Sequence, residues 1–323
     1  MLHIVTGGSA SGKSAYAEDL ICKEQKEEGS LYYIATMIPQ GEETKRKIER
    51  HKRMRKNKGF ISLECYTNLY EFVKKSQRGL WEGKAFVLLE CMSNLVANEL
   101  YEKRRTGEEV VATILRGICH LNSQCECMVV VTNEVFSDSS IYSEEMNYYK
   151  QILGEINCRI TEMADEVTEV VSGMAQKIKG KTNVSGRKSF APGIKLIIGG
   201  EYQGKRAFAT KRYGIGSLED GASCSKETLY GCEGIYHFEI FIKRMMDERE
   251  NISIILDKII EENPEIVIIS TEIGMGLVPI NKVERLYREQ VGRICTELAK
   301  KAVCVTRVIC GIGITLKEEE IEG

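Results

Sequence analysis

Short apolar runs alternate with amphipathic stretches through the first half of the chain. The apolar runs, which predict strands, lie at 2–6, 31–36, 85–90, 127–132 and 167–172. The stretches with helical spacing, which predict helices, lie around 13–27, 41–56, 109–121 and 144–163. Alternation of this kind predicts an α/β fold with a mostly parallel sheet and helices on both of its faces.

The second half repeats this pattern at two fixed offsets. Residues 194–209, IKLIIGGEYQGKRAFA, follow the layout of LHIVTGGSASGKSAYA at 2–17, displaced by 192 positions. Further along, IVIISTEI at 266–273 follows MVVVTNEV at 128–135, displaced by only 138 positions. The two halves are therefore predicted to be one duplicated fold, and the second copy lacks a segment in its middle.

The repeat also predicts where the chain divides. The polar stretch Gly180–Pro192 is rich in Lys, Asn, Ser and Gly, as linkers are. We therefore predict a first domain over 1–185 and a shortened, degenerate repeat over 194–323.

Composition places the chain among ordinary globular proteins. It has 323 residues, 43% of them hydrophobic and 28% charged, with a formal net charge of -2. This charge gives no general attraction to nucleic acid, and no apolar run is long enough to span a membrane. The N-terminus has no signal-peptide pattern, so we expect a cytoplasmic protein.

The twelve cysteines change this picture little. They are scattered, and several lie in apolar runs that predict strands, such as Cys127, Cys304 and Cys310. The pair Cys125 and Cys127 is too weak a pattern to indicate a metal site. Reduced core cysteines are therefore expected rather than a disulfide framework.

A glycine-rich loop follows the first predicted strand and precedes a helix. Its backbone amides are expected to surround a nucleotide polyphosphate, through Gly7, Gly8, Ser9, Ala10, Ser11 and Gly12. Lys13 would reach the β- and γ-phosphates, and the Ser14 hydroxyl would bind Mg²⁺. The second copy has Arg206 at the position of Ser14, so we expect it to bind no nucleotide.

The segment that the second copy lacks carries a dense run of cations. Nine of the residues between Lys45 and Lys58 are Lys or Arg, and His51 lies among them. The run could be a solvated helix face. It could also bind single-stranded nucleic acid, although few aromatic residues lie among the charges to stack on bases. It could also keep His51 neutral, as a nucleophile for phosphorus, while the cations neutralise a triphosphate.

A phosphoryl-transfer site also needs a carboxylate near the metal ion. Glu90 ends the strand run AFVLLE and is expected to hold the metal, with Glu134 as a second candidate. A structural role for such an acid is the alternative. For His3, His120 and His237 a structural role is expected.

The first half resembles the bifunctional adenosylcobinamide kinase and adenosylcobinamide-phosphate guanylyltransferase family of cobalamin synthesis. The resemblance covers nearly all of this half. The segments that carry it are TGGSASGKS at 6–14, YIAT at 33–36, KIERHKRMR at 47–55, LECYTNL at 63–69, LLECMSNLVAN at 88–98, VTNEV at 131–135, GEIN at 154–157 and ADEVTEVVSG at 164–173.

The resemblance implies a P-loop NTPase fold of the RecA-like type and two reactions. A nucleoside triphosphate, GTP or ATP, would phosphorylate adenosylcobinamide, and His51 would then take GMP from GTP and pass it to adenosylcobinamide phosphate. Glu90 matches the acid of the second nucleotide motif. The residues expected to contact the guanine nucleotide are Ala35, Thr36, Lys52, Arg55 and Glu64. The family also implies a homo-oligomer.

Some segments depart from the family pattern. After TNEV the family usually has Gly-x-Gly-Ile-Val-Pro, where this half has Phe136, Ser137 and Asp138. The family-like version, IGMGLVP at 273–279, stands in the second half instead. Two other functions therefore remain open at this point: a kinase without guanylyl transfer, and a nucleotide-binding regulator without catalysis.

Overall fold

The computed structural model describes most of the chain. The described residues are 1–8, 11–25, 29–76, 84–137, 143–171, 173–180, 191–273 and 281–319. Ser9, Ala10, most of the predicted linker and most of IGMGLVP lie outside them.

The chain divides into two compact units. The first comprises Met1–Val135 and Glu144–Val184, and the second comprises Phe136–Ser143 and Ser185–Gly323. The domain limits derived from the sequence, 1–185 and 194–323, stay predictions.

The first unit contains a sheet of seven strands in the order β3-β2-β4-β5-β1-β6-β7. The strands are β1 (Leu2–Thr6), β2 (Gly29–Ala35), β3 (Phe60–Glu64), β4 (Lys84–Glu90), β5 (Cys127–Val131), β6 (Glu166–Val171) and β7 (Met174–Lys179). Neighbouring strands run parallel, except that β6 and β7 form an antiparallel pair. This topology confirms the mostly parallel sheet.

Helices connect these strands. They are α1 (Lys13–Glu24), α2 (Gly41–Arg55), α3 (Leu69–Ser76), α4 (Met92–Ala97), α5 (Gly107–Asn122) and α6 (Glu144–Met163), with a π-helical turn at Asn98–Glu102 after α4. The start of α5 shows how the sequence fixes a helix end. Thr106 accepts a hydrogen bond from the Glu109 amide, and the Glu109 side chain accepts one from the Thr106 amide.

Both faces of the first sheet are buried. Val5 of β1 packs with Ala17 and Ile21 of α1 on one face. Ile4 and Val130 alternate with such residues along their strands, so they point to the opposite face, and they are also fully buried. Layers therefore cover both faces, as predicted for an α/β fold of the P-loop NTPase class.

The second unit contains a sheet of six strands in the order β13-β12-β8-β11-β10-β9. The strands are β8 (Lys195–Ile198), β9 (Glu219–Asp220), β10 (Gly234–Tyr236), β11 (Val267–Ile269), β12 (Cys304–Ile309) and β13 (Ile312–Glu318). The helices are α7 (Lys205–Tyr213), α8 (Phe238–Asp247), α9 (Ile252–Glu262) and α10 (Lys282–Lys301), with a 3-10 turn at Thr228–Tyr230.

The register of the strands confirms the duplication. In the first sheet His3 pairs with Val129 of β5, and in the second sheet Lys195 pairs with Val267. Lys195 lies 192 positions after His3, and Val267 lies 138 positions after Val129, so both offsets of the sequence repeat recur in the strand pairing. The antiparallel pairs β6/β7 and β12/β13 also share a shift of register. It lies between Val167 and Thr168 in the first pair and between Val305 and Thr306, 138 positions later, in the second. Helices α6 and α10 have bounds that differ by the same 138 positions.

The second unit lacks the part of the fold that carries the cationic run. Strand β9 pairs with β10 as β2 pairs with β4. Beyond β9 the second sheet has no equivalent of β3 among the described residues, and no long helix stands where α2 does. The missing segment therefore removes the position of His51.

Two further predictions concern cysteines and membranes. All twelve cysteines are free thiols, and Cys127, Cys304 and Cys310 are buried as expected. Among the described residues, no helix combines the length and the apolar character that crossing a bilayer requires.

Candidate active site

The glycine-rich loop of the first unit is held in shape by the strands around it. A Cβ atom on Gly7 would lie 2.4 Å from the carbonyl oxygen of Val170, so only glycine fits there. The Glu134 amide donates a hydrogen bond to the Gly7 carbonyl at 2.9 Å, and the Gly173 amide donates to the Ser11 carbonyl at 2.8 Å. The described part of the loop is therefore preformed.

Helix α1 starts directly from this loop. Gly12 precedes it with φ of +92°, a conformation that favours glycine. The Lys13 ammonium is largely buried and donates a hydrogen bond to the Gly8 carbonyl at 2.8 Å. Burial lowers the pKa of Lys13, and Cys91 and Glu90 oppose that effect. A buried cation that donates to a neutral carbonyl is suited to receive an anion.

Ser14 and Glu90 meet at the end of the loop. The Ser14 hydroxyl donates a hydrogen bond to Glu90 Oε1. Hydroxyl and carboxylate oxygens are the hard ligands that Mg²⁺ prefers, and here two of them are adjacent. The pair fits the predicted metal site.

Strands β2, β3 and β4 end in line at this edge of the sheet. Ala35 is in register with Glu64 on one side and with Glu90 on the other. Thr36 is buried, and its hydroxyl donates to the Cys91 carbonyl at 2.8 Å, which ties the end of β2 to the end of β4. Glu64 is exposed and accepts a hydrogen bond from Tyr66.

His51 of α2 lies at the same carboxylate. Its Nδ1 atom is 3.6 Å from Glu90 Oε1, and its side chain is 21% exposed. That nitrogen is buried and has no hydrogen-bond partner among the described residues. The structure thus brings the histidine of the cationic run to the carboxylate beside the phosphate-binding loop.

Arg55 lies one helical turn after His51 and faces the same way. Its guanidinium stacks over the ring of Tyr33 at 3.5 Å, and the Tyr33 hydroxyl donates to Glu90 Oε2 at 3.2 Å. Burial raises the pKa of Tyr33, and Glu90 adds to that effect. Lys52 instead lies half-exposed and pairs with Glu49 at 3.4 Å, on the outer side of α2.

Glu18 is a site residue that the sequence analysis missed. It is fully buried, and its Oε2 accepts a hydrogen bond from Lys58 at 2.9 Å. Burial raises the pKa of Glu18, while Lys58 opposes that effect. Its position four residues after Ser14, on the same face of α1, is the signal that could have found it.

In the second unit, protein oxygens already surround the lysine of the glycine-rich loop. Lys205, the equivalent of Lys13, donates to the carbonyls of Gly199 at 3.1 Å and Gly200 at 2.6 Å, and to the Thr271 hydroxyl at 3.3 Å. Burial lowers the pKa of Lys205 to about 8. Three protein oxygens thus surround the ammonium that a phosphate would need.

A cavity of about 480 Å³ lies in the second unit, between the sheet and α10. Its lining is mostly apolar and includes Cys295 and Ala299. The equivalent residues of α6 are Asn157 and Thr161, both larger, so smaller side chains leave space here. An apolar lining offers little to a phosphate, and the candidate active site stays in the first unit.

Comparison with known proteins identifies the family. The family model described as cobinamide kinase / cobinamide phosphate guanyltransferase matches residues 3–178 and 217–316, and the chain belongs to this family. The bifunctional adenosylcobalamin biosynthesis protein CobU of Escherichia coli (strain K12) is 30% identical over 190 residues, which are 55% of this chain and 100% of that protein. The protein of the same name from Salmonella typhimurium is 40% identical over 53 residues, 16% of this chain and 29% of that protein.

Solved structures resemble the chain only distantly. The structure of an ATPase domain has a TM-score of 0.31 and 8% identity, and the match covers 52% of this chain and 68% of that domain. The flagellar accessory protein FlaH from Methanocaldococcus jannaschii has a TM-score of 0.31 and 15% identity, and the match covers 55% of this chain and 78% of that protein. The fold assignment therefore rests on the sheet topology itself.

Proposed function

We propose that the first unit carries out both reactions named in the family description, and that His51 is the residue that carries GMP. In the first reaction, a phosphoryl group passes from GTP or ATP to the hydroxyl of adenosylcobinamide. In the second, GMP passes from GTP to adenosylcobinamide phosphate. The distance of 3.6 Å between His51 Nδ1 and Glu90 Oε1 is the observation that supports this best.

The loop supplies the binding of the triphosphate. Backbone amides at the start of α1 face the phosphates, and the Lys13 ammonium exchanges its contact with the Gly8 carbonyl for phosphate oxygens. Ser14 and Glu90 would hold Mg²⁺, which neutralises phosphate charge when it is bound. We also propose that Arg55, which has two buried nitrogens without a hydrogen-bond partner among the described residues, contacts the nucleotide.

The guanylyl transfer then takes place in two steps. A neutral His51 nitrogen attacks the α-phosphorus of GTP, a phosphorus–nitrogen bond forms, and pyrophosphate leaves with the electron pair of the broken phosphorus–oxygen bond. A phosphate oxygen of adenosylcobinamide phosphate next attacks the same phosphorus. The phosphorus–nitrogen bond breaks, His51 regains its lone pair, and adenosylcobinamide-GDP forms. With Nδ1 turned toward Glu90, Nε2 is the nitrogen available for attack.

Covalent labelling tests this proposal. The protein is incubated with Mg²⁺ and GTP labelled at either the α- or the γ-phosphate, and then denatured. The α-label should stay on the denatured protein, and acid but not alkali should release it, as a phosphorus–nitrogen bond requires. The γ-label should not stay on the protein. A protein that takes up no α-label would favour a kinase without guanylyl transfer or a regulator.

A further inference from the structure

Three residues of the first unit bring metal-ligand atoms together. Glu18, His51 and Glu90 each offer one such atom, and these atoms lie within 4.8 Å of one another. Within the described ranges, no other group of three His, Cys, Asp or Glu side chains does so. The residues come from α1, α2 and the end of β4, so the fold itself assembles the cluster.

Two of these residues carry buried atoms without partners. Glu18 is 0% exposed, and its Oε1 has no hydrogen-bond partner in the described part of the chain. His51 Nδ1 is also buried and has no hydrogen-bond partner among the described residues. Buried polar atoms without partners are costly, and a bound cation would satisfy both at once.

We propose that Glu18, His51 and Glu90 bind a transition-metal dication, such as Mn²⁺ or Zn²⁺, when no nucleotide is present. One imidazole and two carboxylates suit these ions, whereas Mg²⁺ favours the oxygen pair of Ser14 and Glu90. Ligands at about 2.1 Å from an ion lie at most about 4.2 Å apart, so small side-chain rotations close the site.

Two neighbouring cations limit the affinity. The Lys58 ammonium lies 2.9 Å from the other oxygen of Glu18, Oε2, and 2.8 Å from Asp19 Oδ1. The Arg55 guanidinium lies over the Tyr33 ring beside the cluster. Because like charges repel a dication, the loss of Arg55 should tighten metal binding, whereas the loss of a ligand should weaken it.

The metal would also restrain the chemistry. An ion at this site holds Glu90 and His51 together, so it competes with the nucleotide and its Mg²⁺ for Glu90. This consequence rests on the proposed function: Mn²⁺ or Zn²⁺ added before GTP should slow formation of the α-labelled adduct. Binding of the ion itself does not depend on any activity.

Electron paramagnetic resonance with Mn²⁺ tests the site on the full chain without nucleotide. Free Mn²⁺ gives a strong six-line signal that falls when the ion binds, and Mn²⁺ has little preference for the twelve free thiols. Glu18→Gln and His51→Asn should each weaken binding by about tenfold or more. Asp257→Asn, which removes an exposed carboxylate of the second unit, should keep the affinity of the parent protein, and Arg55→Met should increase it.

Two results would overturn the proposal. One is a parent protein that removes no Mn²⁺ from the free signal. The other is unchanged affinity in Glu18→Gln and His51→Asn, with circular dichroism showing both variants folded. If Mn²⁺ binds as expected but no adduct ever forms from GTP, the metal site stands and the proposed guanylyl transfer falls.

Discussion

The guanidinium of Arg206 lies 3.9 Å over the ring of Tyr236, at the positions that Ser14 and Glu90 occupy in the first unit. The register places Tyr236 there, because Ile235 pairs with Ile268 as Leu89 pairs with Val130. Both members of the proposed metal-binding pair have thus changed together. A stacked cation and ring replace a hydroxyl and a carboxylate.

The first prediction compares the two loop lysines in the full chain. Lys13→Ala removes a charge-assisted contact to phosphate, which should cost about 1.5–3 kcal/mol and weaken Mg²⁺–GTP binding by about tenfold or more. Lys205→Ala should leave binding unchanged, because that ammonium already donates to the carbonyls of Gly199 and Gly200 and to the Thr271 hydroxyl. Isothermal titration calorimetry measures both. Equal losses in the two variants would show that the second loop also binds nucleotide.

The second prediction concerns repair of the degenerate loop. In a Lys13→Ala background, Arg206→Ser should not restore Mg²⁺–GTP binding, because Tyr236 offers no carboxylate and Lys205 remains enclosed. Calorimetry on the double variant checks this. Recovery of binding would mean that Arg206 alone had disabled the site.

The third prediction separates the chemistry of His51 from the charge of its helix. His51→Asn should abolish the α-labelled adduct but keep Mg²⁺–GTP binding, since Lys13, Ser14 and Glu90 are untouched. Kinase activity should survive at least in part, because direct phosphoryl transfer needs no enzyme adduct. Arg53→Ala, on an exposed position of the same helix, is the matched control and should still form the adduct. An adduct in His51→Asn would assign the nucleophile elsewhere.

The fourth prediction concerns pH and the buried His3. Burial lowers the pKa of His3 from 6.5 to about 4, against the weaker opposing effect of Glu166. Between these two pH values the unfolded chain binds a proton that the folded chain refuses, so the free energy of unfolding falls as pH falls. At about 1.4 kcal/mol per unit the loss approaches about 3 kcal/mol.

Urea unfolding at about pH 7 and at about pH 4.5 measures this loss in the free energy of unfolding, because most of the His3 titration falls between these two pH values. His3→Asn should show a smaller fall between the two pH values than the parent protein, because Asn does not titrate. The same fall in both proteins would place the acid sensitivity at other groups.

The sequence predicts most of the core because the core strands are uniform. Strands β4 and β5 are buried on both faces and contain continuous apolar runs. Strands β1 and β6 are also largely buried, and their apolar residues outline them although each includes polar positions. Strand β3 was missed because FISLE lies at the edge of the sheet and is half-exposed, so its apolar signal is short and mixed. The antiparallel β7 was missed for the same reason, since most of its side chains are exposed.

The candidate site divides in a similar way. Gly7, Gly12, Lys13 and Ser14 follow a fixed spacing, and the described geometry agrees with it. Helix α2 has many cations and almost no apolar stripe, so the sequence could not show that Arg55 faces inward and Lys52 outward. Glu18 was missed because an acid on a helix is usually solvated, and only the fold shows that this one is buried.

The lost segment also changes how the second sheet ends. The edge strand on that side, β9, is only two residues long and consists of Glu219 and Asp220, whereas β13 forms the opposite edge. A long, exposed edge can recruit a strand from another molecule, whereas a short acidic edge offers few free amides and repels its own copies. The side of the second sheet that lacks the position of His51 is therefore a poor template for strand pairing between molecules.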